Sequence, residues 1–493
     1  MGSVRRSIVA GVLAAAAGLA AAEGVAAIAN LRESPVVAVA QGVIRVTPGP
    51  IAEAVIGWVG TKDKPLTIAC VVVAVLAIGA LAGRWWDGRR AWSLGVVAAL
   101  VVGAGLAVLS RPYGSVGGLL ACAAAGLATI ATLSTLQKAT ESEGRRSFLR
   151  TALLLGLGVA LVGGGSQALA SRHRRRRRIE QLREAIPSTA VTPPPGVDVS
   201  EKLSWVTPNR DFYRIDTALT APLIDPSKWR LRIHGMVDRE LEISYDDLVR
   251  RADTTAWVTL CCVSNPVGGD LVGNALWGGV LMRELLEEAG VQDDADALLS
   301  TSEDGWTCGT PLAALTDGRD AMLALTMNGE PLPVPHGFPV RQVVPGLYGY
   351  VSATKWVVDW EVTRFADVEA YWTQRGWSEQ GPVKTASRID VPELGDVIAP
   401  GRAVAAGVAW RQHVGIERVE VRVDDGPWQE ATLGRVPSDD TWVQWRIEWD
   451  AVPGQRRLTV RAVDAEGTVQ TAAKQAVLPD GATGHDSVSV LVR

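Results

Sequence analysis

Cysteine is scarce in this 493-residue chain, which has five. Cys70 and Cys122 lie in apolar runs and Cys261, Cys262 and Cys308 in the polar part, so no disulfide framework is implied in either compartment. No CxxC or HxxxH spacing occurs, which argues against zinc or an iron–sulfur cluster, and there is no CxxCH haem attachment. Histidine is equally rare, at five residues. None lies in an apolar run, and the only one near them is His173, so haem held by paired histidines inside a membrane is excluded. Charge of one sign is also lacking: a net charge of -4 gives no global bias toward nucleic acid or anionic surfaces.

What the chain does have is a 47% hydrophobic content, unevenly spread. Five stretches are long, apolar and nearly free of charge, about the twenty residues a hydrocarbon core requires: Ser7 to Asn30, Leu66 to Gly83, Ala91 to Ser110, Gly117 to Leu136 and Phe148 to Ala170. Their Ala, Val, Leu and Gly residues occupy every face, unlike the striped helices of a soluble bundle. Arg5 and Arg6, then Arg84, Arg89 and Arg90, then Lys138, Arg145, Arg146 and Arg150 flank them on the side expected to be cytoplasmic. An odd number of spans then delivers everything after Ala170 to the outer face. The near-absence of ionisable groups in the spans weighs against a transporter.

Gly144 to Arg150, followed by a Gly-rich apolar stretch, resembles an internal twin-arginine export signal, although a positive-inside cluster has the same composition. The run Arg172 to Arg178, broken only by His173, falls on the disfavoured outer side of the fifth span. It would weaken ordinary insertion of a span already softened by Gly163, Gly164 and Gly165, or else contact anionic headgroups. Nucleic-acid contact is disfavoured because no aromatic residues interleave the run.

At this length two or three domains are expected. Residues 1–178 read as a membrane region with five helices, and 179–206, containing Pro193-Pro194-Pro195, as an extended linker. In residues 207–394, Trp229 to His234 and Trp257 to Leu260 read as strands. Tyr245 to Arg250, opened by Ser244, and Leu281 to Ala289, closed by Gly290, read as helices, and the mixture implies an α+β domain. In residues 395–493 helices vanish. Val419 to Val423, Trp442 to Trp449 and Arg457 to Val463 read as strands of an immunoglobulin-like β-sandwich, with Trp410, Trp428, Trp442, Trp445 and Trp449 in its packing.

Two segments carry the chemistry: Thr259-Leu260-Cys261-Cys262-Val263-Ser264-Asn265, and His336-Gly337-Phe338-Pro339-Val340-Arg341 leading to Lys355-Trp356. A cysteine at a strand end, followed by Gly268-Gly269, places a soft thiolate where backbone can approach a bulky ligand, and a soft thiolate suits a transition metal. By spacing alone a buried inert cysteine is the commoner case.

These segments, with Asn209 to Tyr213, Trp229 to Val237, Gly273 to Gly279, Asp304-Gly305, Met327 to Pro333 and Pro479 to Gly484, resemble the sulfite oxidase family of molybdopterin enzymes. The resemblance covers most of the chain after the linker. It implies a molybdenum cofactor whose metal is bound by one cysteine thiolate, and an oxidoreductase acting on a small molecule. Cys262 rather than Cys261 matches the metal ligand, because it stands three residues before the asparagine. His336, Arg341 and Lys355 match the residues that hold the cofactor's anionic phosphate. Asn209 and Tyr213 match the opening segment of the site, and Thr301 is a weaker match. One extra residue between Gly349 and Lys355 leaves open whether Ser352 or Thr354 faces the pterin. The C-terminal sandwich resembles the family's dimerisation domain, which implies a homodimer.

The departures bear on substrate. Pro266 and Val267 stand where the family has an arginine-bearing segment, Pro208 where it has an arginine, and Trp377 where it has a catalytic tyrosine. A divalent anion would lose several charge-assisted bonds, each worth about 1.5–3 kcal/mol. A neutral or larger substrate is therefore expected, with Arg210, Arg214, Arg375 and Trp377 lining its pocket. Electrons would pass to or from an external partner protein or quinone-linked carrier. The competing reading is a cofactor-free, membrane-tethered binding protein that reuses the fold.

Overall fold

The computed structural model describes residues 2–29, 31, 33–47, 63–86, 88–111, 114–142 and 166–493. The chain forms two compact units, one of Met1–Gln181 with Ala218–Leu223 and one of Leu182–Thr217 with Ile224–Arg493.

The first unit is helical: α1 (Gly2–Ile28), α2 (Pro35–Val46), α3 (Asp63–Trp85), α4 (Arg90–Leu109), α5 (Val116–Ser142) and most of α6 (Ser166–Glu184). Among the described residues, four helices are long and apolar enough to cross a membrane: Arg6–Ile28, Lys64–Trp85, Arg90–Leu109 and Val116–Lys138. They coincide with the first four expected spans. The fifth, and the Gly144 to Arg150 motif, fall outside the described residues except for 166–170, which open α6. Small residues set the packing. A Cβ at Gly11 would lie 2.1 Å from the Gly79 carbonyl oxygen, and one at Gly83 would lie 2.2 Å from that of Ser7, so α1 and α3 meet backbone to backbone. Val73, Val102, Leu106, Leu120 and Leu127 stay exposed, an apolar surface of the kind lipid would cover. Glu23 lies within α1, so the spans are not free of ionisable groups.

Two local readings need correction. Short α2 is capped by Ser34, whose hydroxyl accepts from the Val37 N–H, with Pro35 at the first position; this signal is easily passed over beside twenty-residue runs. The basic run and the first residues of the expected linker are helical through Glu184, because Arg, Gln, Leu and Glu favour helix and the first proline comes only at Pro187.

In the second unit, β1 (Arg230–Gly235) and β2 (Leu241–Ser244) lead into α7 (Tyr245–Arg251), which opens on a capping box between Ser244 and Asp247. Then come β3 (Thr254–Cys261), β4 (Val272–Leu281) and α8 (Met282–Ala289), the last closed by Gly290 at φ 73°. β5 (Ala297–Ser302), β6 (Thr307–Pro311), α9 (Ala313–Thr316), β7 (Met322–Met327), β8 (Glu330–Pro331), β9 (Arg341–Val343) and β10 (Val357–Thr363) complete an α+β core. One sheet runs β2-β1-β10-β5-β6, with β1 and β10 parallel; the other runs β3-β4-β7-β8, with β9 paired to β7.

The C-terminal part is all strand: β11 (Ala386–Val391), β12 (Val397–Ile398), β13 (Gly401–Trp410), β14 (Ile416–Val423), β15 (Gln429–Glu430), β16 (Thr432–Leu433), β17 (Val443–Ala451), β18 (Gly454–Asp464) and β19 (Asp486–Val492). Sheets β11-β13-β17-β16 and β12-β19-β18-β14-β15 share one apolar core containing Trp445, Trp449, Val419, Leu458 and Val490. β11 begins before residue 395, where the change to strand was expected, because its partner is β13. Trp410 and Trp442 are also buried, and Trp428 is half-buried, with the Arg422 and Arg461 guanidinium groups 4.8 and 4.2 Å from its ring.

Candidate active site

β3 ends at Cys261, and the following loop, residues 262–271, is tied at both ends. The Cys262 N–H donates to the Leu271 carbonyl at 2.9 Å, the Asn265 N–H to the Cys262 carbonyl at 3.0 Å, and the Leu271 N–H to the Asn265 side-chain oxygen at 2.9 Å. Gly268, at φ 74°, admits Asp486, whose Oδ1 would lie 2.5 Å from a Cβ there, while Arg388 Nη1 donates to the Gly269 carbonyl at 2.8 Å. β3 itself is clamped at Thr259. Its N–H donates to the Asp440 carbonyl, its hydroxyl oxygen accepts from the Trp442 N–H at 2.8 Å, and its carbonyl accepts from Gln412 Nε2 at 3.0 Å. The two cysteines are both buried. Burial pushes the Cys261 thiol far up, helped by Cys262 and opposed by Arg388, Asn265 and Trp410; it also raises Cys262, opposed by hydrogen bonds with Ser264 and by the Lys355 charge.

A cation cluster shares that neighbourhood. Gly337, at φ 117°, lets three backbones converge, since a Cβ there would lie 2.9 Å from Arg341 Cβ and 3.3 Å from Lys355 Cβ. Arg341 pairs with Lys355 across a β-bridge, donates from Nη1 to the His336 carbonyl at 3.2 Å and lies 4.9 Å over the Trp277 ring. Lys355 Nζ donates to Asp216 Oδ2 at 2.7 Å, and Arg214 Nε reaches the same oxygen at 2.9 Å. His336 Nε2 donates to the Asn209 carbonyl at 3.1 Å. Burial lowers Arg341 to about 10 and Lys355 to about 8, the latter against the pull of Asp216. Burial, followed by the charges of Arg341 and Lys355, takes His336 down to about 3. Positive charge is thus crowded into a dry site with Asp216 as its bonded carboxylate, a donor set that an anion completes. A soft thiol beside a guanidinium, an ammonium and an imidazole fits a cofactor with a metal at one end and a phosphate at the other.

Tyr213 is half-buried and stacked on Phe212 at 5.2 Å. Burial and then the two cysteine sulfurs raise its hydroxyl while Arg341 opposes them, which puts Tyr213 within electrostatic reach of both Cys262 and Arg341. The Asn209 amide faces a turn, donating to the Met327 carbonyl at 3.0 Å and accepting from Asn328 at 2.9 Å, so its carbonyl is what serves His336. Ser352 and Thr354 are fully buried; Ser352 donates to the Leu347 and Tyr348 carbonyls, and Thr354 bonds to Ser300 at 2.7 Å. Thr301 is half-buried on β5. Trp377 packs in an aromatic knot with Tyr350 and Trp372 at 5.9 and 6.2 Å, and the Arg375 guanidinium lies 3.7 Å over Tyr371. Tyr350 directly follows Gly349, where a Cβ would lie 3.8 Å from both the Cys261 carbonyl and the Tyr213 hydroxyl. Asp216, absent from the sequence reading, and Asn328, present there only within the Met327 to Pro333 block, act through partners more than a hundred residues away, and no local pattern announces such pairs.

Residues 218–372 match the family model described as the oxidoreductase molybdopterin binding domain. The chain is 28% identical to sulfite oxidase of Gallus gallus over 340 residues, covering 56% of this chain and 70% of that protein. It is 29% identical to the mitochondrial sulfite oxidase of Homo sapiens over 324 residues, covering 54% of this chain and spanning only 57% of the human protein. It is 32% identical over 186 residues to the uncharacterized oxidoreductase YuiH of Bacillus subtilis (strain 168), covering 37% of this chain and 90% of that one. The crystal structure of the sulfane dehydrogenase SoxCD from Paracoccus pantotrophus superposes with a TM-score of 0.51 at 23% identity, covering 64% of this chain and 92% of that chain, a likeness of fold.

Proposed function

Because the chain belongs to the molybdopterin-binding oxidoreductases related to sulfite oxidase, we propose that it is a membrane-anchored member performing oxygen-atom transfer on a small substrate other than sulfite, outside the cytoplasm. The observation that carries this reading is one buried neighbourhood holding the Cys262 thiol together with Arg341, Lys355 and His336. When bound, the cofactor supplies the exchange of an oxygen atom and two electrons. The chain supplies position and electrostatics. Cys262 holds the metal, on a loop fixed by Asn265, Arg388 and Asp486. Arg341 offers a planar fork and Lys355 a point charge to the phosphate. Tyr213 Oη keeps its proton because of burial and remains a donor at the cysteine end. Phe212, Trp277 and Trp356 wall the cluster against water.

The substrate reading rests on cations that are missing or engaged. Pro266 and Val267 are exposed on the loop that follows Cys262 and carry no charge. Arg210 pairs with Asp211 and Arg375 covers Tyr371, so each of these arginines is turned to a neighbour. A neutral acceptor or donor such as a sulfoxide or N-oxide suits this site better than a dianion. The N-terminal helices serve as anchor, the twin-arginine-like segment exports the folded domain with its cofactor, and an external protein or quinone-linked carrier exchanges the electrons. The C-terminal sheets are read as an immunoglobulin-like dimerisation domain. Metal analysis of the purified protein tests the core of this reading. Roughly one molybdenum per chain supports it, and none favours the binding-protein alternative. Assays with artificial electron donors and acceptors across sulfite, sulfoxides and N-oxides test the substrate class.

A further inference from the structure

Asp216 stands out because it places negative charge inside a site whose ligand is expected to be anionic. Its side chain is 5% exposed and that of Lys355 10%, so neither is screened by bulk water. One oxygen, Oδ2, takes both Lys355 Nζ at 2.7 Å and Arg214 Nε at 2.9 Å. Arg214 lies two residues before Asp216 and is half-exposed, whereas Lys355 comes from a distant part of the chain, and its ammonium also reaches the Pro335 carbonyl at 3.4 Å. The geometry points to Asp216 as a positioning residue for the cofactor's anionic end: it fixes the Lys355 ammonium and the Arg214 guanidinium on one carboxylate oxygen so that both face the bound phosphate together. This inference rests on the molybdopterin reading of the site.

The sign of its effect separates this role from simple charge balance. Taking away a carboxylate near a phosphate would, by Coulomb's law alone, tighten the anion's hold. Lys355 argues for the opposite outcome. Burial, Arg341 and Arg214 already pull it down, to about 8, and Asp216 is what holds it up. Without the carboxylate the ammonium loses both its aim and its support as a charged group, and the site exchanges a directed cation for a wandering amine.

The test measures molybdenum and pterin per folded chain, together with the rate at which cofactor is lost on dilution. It compares the full-length wild type, Asp216→Asn, Asp216→Glu, Lys355→Gln and the Asp216→Asn/Lys355→Gln double variant. Asp216→Asn is expected to lose cofactor about ten- to a hundred-fold faster. Asp216→Glu should recover part of that loss, and Asp216→Asn should add little once Lys355 is already Gln. Unchanged or slower loss in Asp216→Asn overturns the proposal, as does full additivity in the double variant, which would mark a merely structural residue. If Asp216→Asn does not fold, Asp216→Glu decides alone: cofactor loss faster than in wild type supports the role, and loss at the wild-type rate overturns it. A wild type without molybdenum or pterin refutes the functional reading instead, a result distinct from either outcome above.

Discussion

Along β18, Leu458, Val460 and Ala462 are buried with Val419 and Val421 of β14, Val488 and Val490 of β19 and Trp445 of β17, and none of these side chains needs a ligand to justify its burial. Around Cys262 the buried groups are a thiol, a guanidinium, an ammonium and an imidazole, each displaced from its ordinary protonation behaviour by the lack of water. One region is stabilised by what it buries; the other buries groups at a cost that only a partner offsets. The contrast separates fold from function within a single compact unit.

The sharpest way to test that separation is Cys262→Ser. The hydroxyl is a hard donor of similar size, so molybdenum and activity should be lost together while the melting temperature of the cofactor-free protein stays close to that of cofactor-free wild type. Metal retained at wild-type stoichiometry would remove Cys262 from its assigned role.

Next in size is the response of cofactor-free protein to pH. Lys355 sits at about 8 against an ordinary 10.5, so the folded state disfavours a proton that the unfolded chain accepts. The stability that a neutral Lys355 contributes is complete above 10.5 and falls as pH drops toward 8. His336, at about 3 against 6.5, repeats the pattern, so stability falls again as pH drops from 6.5 toward 3. Denaturant titrations should show the lower descent directly and the upper one as the difference between wild type and Lys355→Met, because burial raises the Cys261, Cys308, Tyr213 and Tyr350 groups, which cost stability as pH rises through that same range. The C-terminal sheets predict no such dependence for their apolar core. Cofactor binding should take up protons, because a phosphate restores the charged forms.

Leu458→Ala probes the other side of the comparison. Leu458 is fully buried, and truncation there costs about 2–5 kcal/mol. The expected result is a lowered unfolding midpoint with molybdenum per folded chain unchanged. A parallel loss of metal would show that the two regions are one energetic unit.

How much of this was legible in the chain differs by region for a physical reason. The strands around Val419 and Arg457 announce themselves by alternation, and Cys262, His336, Arg341 and Lys355 stand in contiguous blocks whose residue types state their chemistry. Asp216 meets Lys355 only through tertiary folding, and Thr259 meets Asp440 and Trp442 in the same way, so no window of sequence contains either pair. Helix α2 was hidden by its length, and the extension of α6 by a charge run that reads more readily as a surface feature than as helix. The start of the C-terminal sheets was misplaced because β11 is defined by its distant partner β13 rather than by its own composition.

Thr259→Val gives the finest test, since Thr259 belongs to both regions. Its hydroxyl donates to Asn274 Oδ1 at 3.0 Å and accepts the Trp442 N–H at 2.8 Å, and it lies three residues before Cys262. Valine keeps the shape but leaves a buried N–H and a buried amide oxygen unmatched, a penalty of about 1–3 kcal/mol. If the C-terminal sheets only support the fold, this variant should behave like a milder Leu458→Ala. If their clamp on β3 sets the position of Cys262, cofactor should also dissociate faster from Thr259→Val than from Leu458→Ala at matched stability. The second outcome is expected, because Thr259 is bonded on three sides by Asp440, Trp442 and Gln412, and a shift there passes along β3 to Cys262.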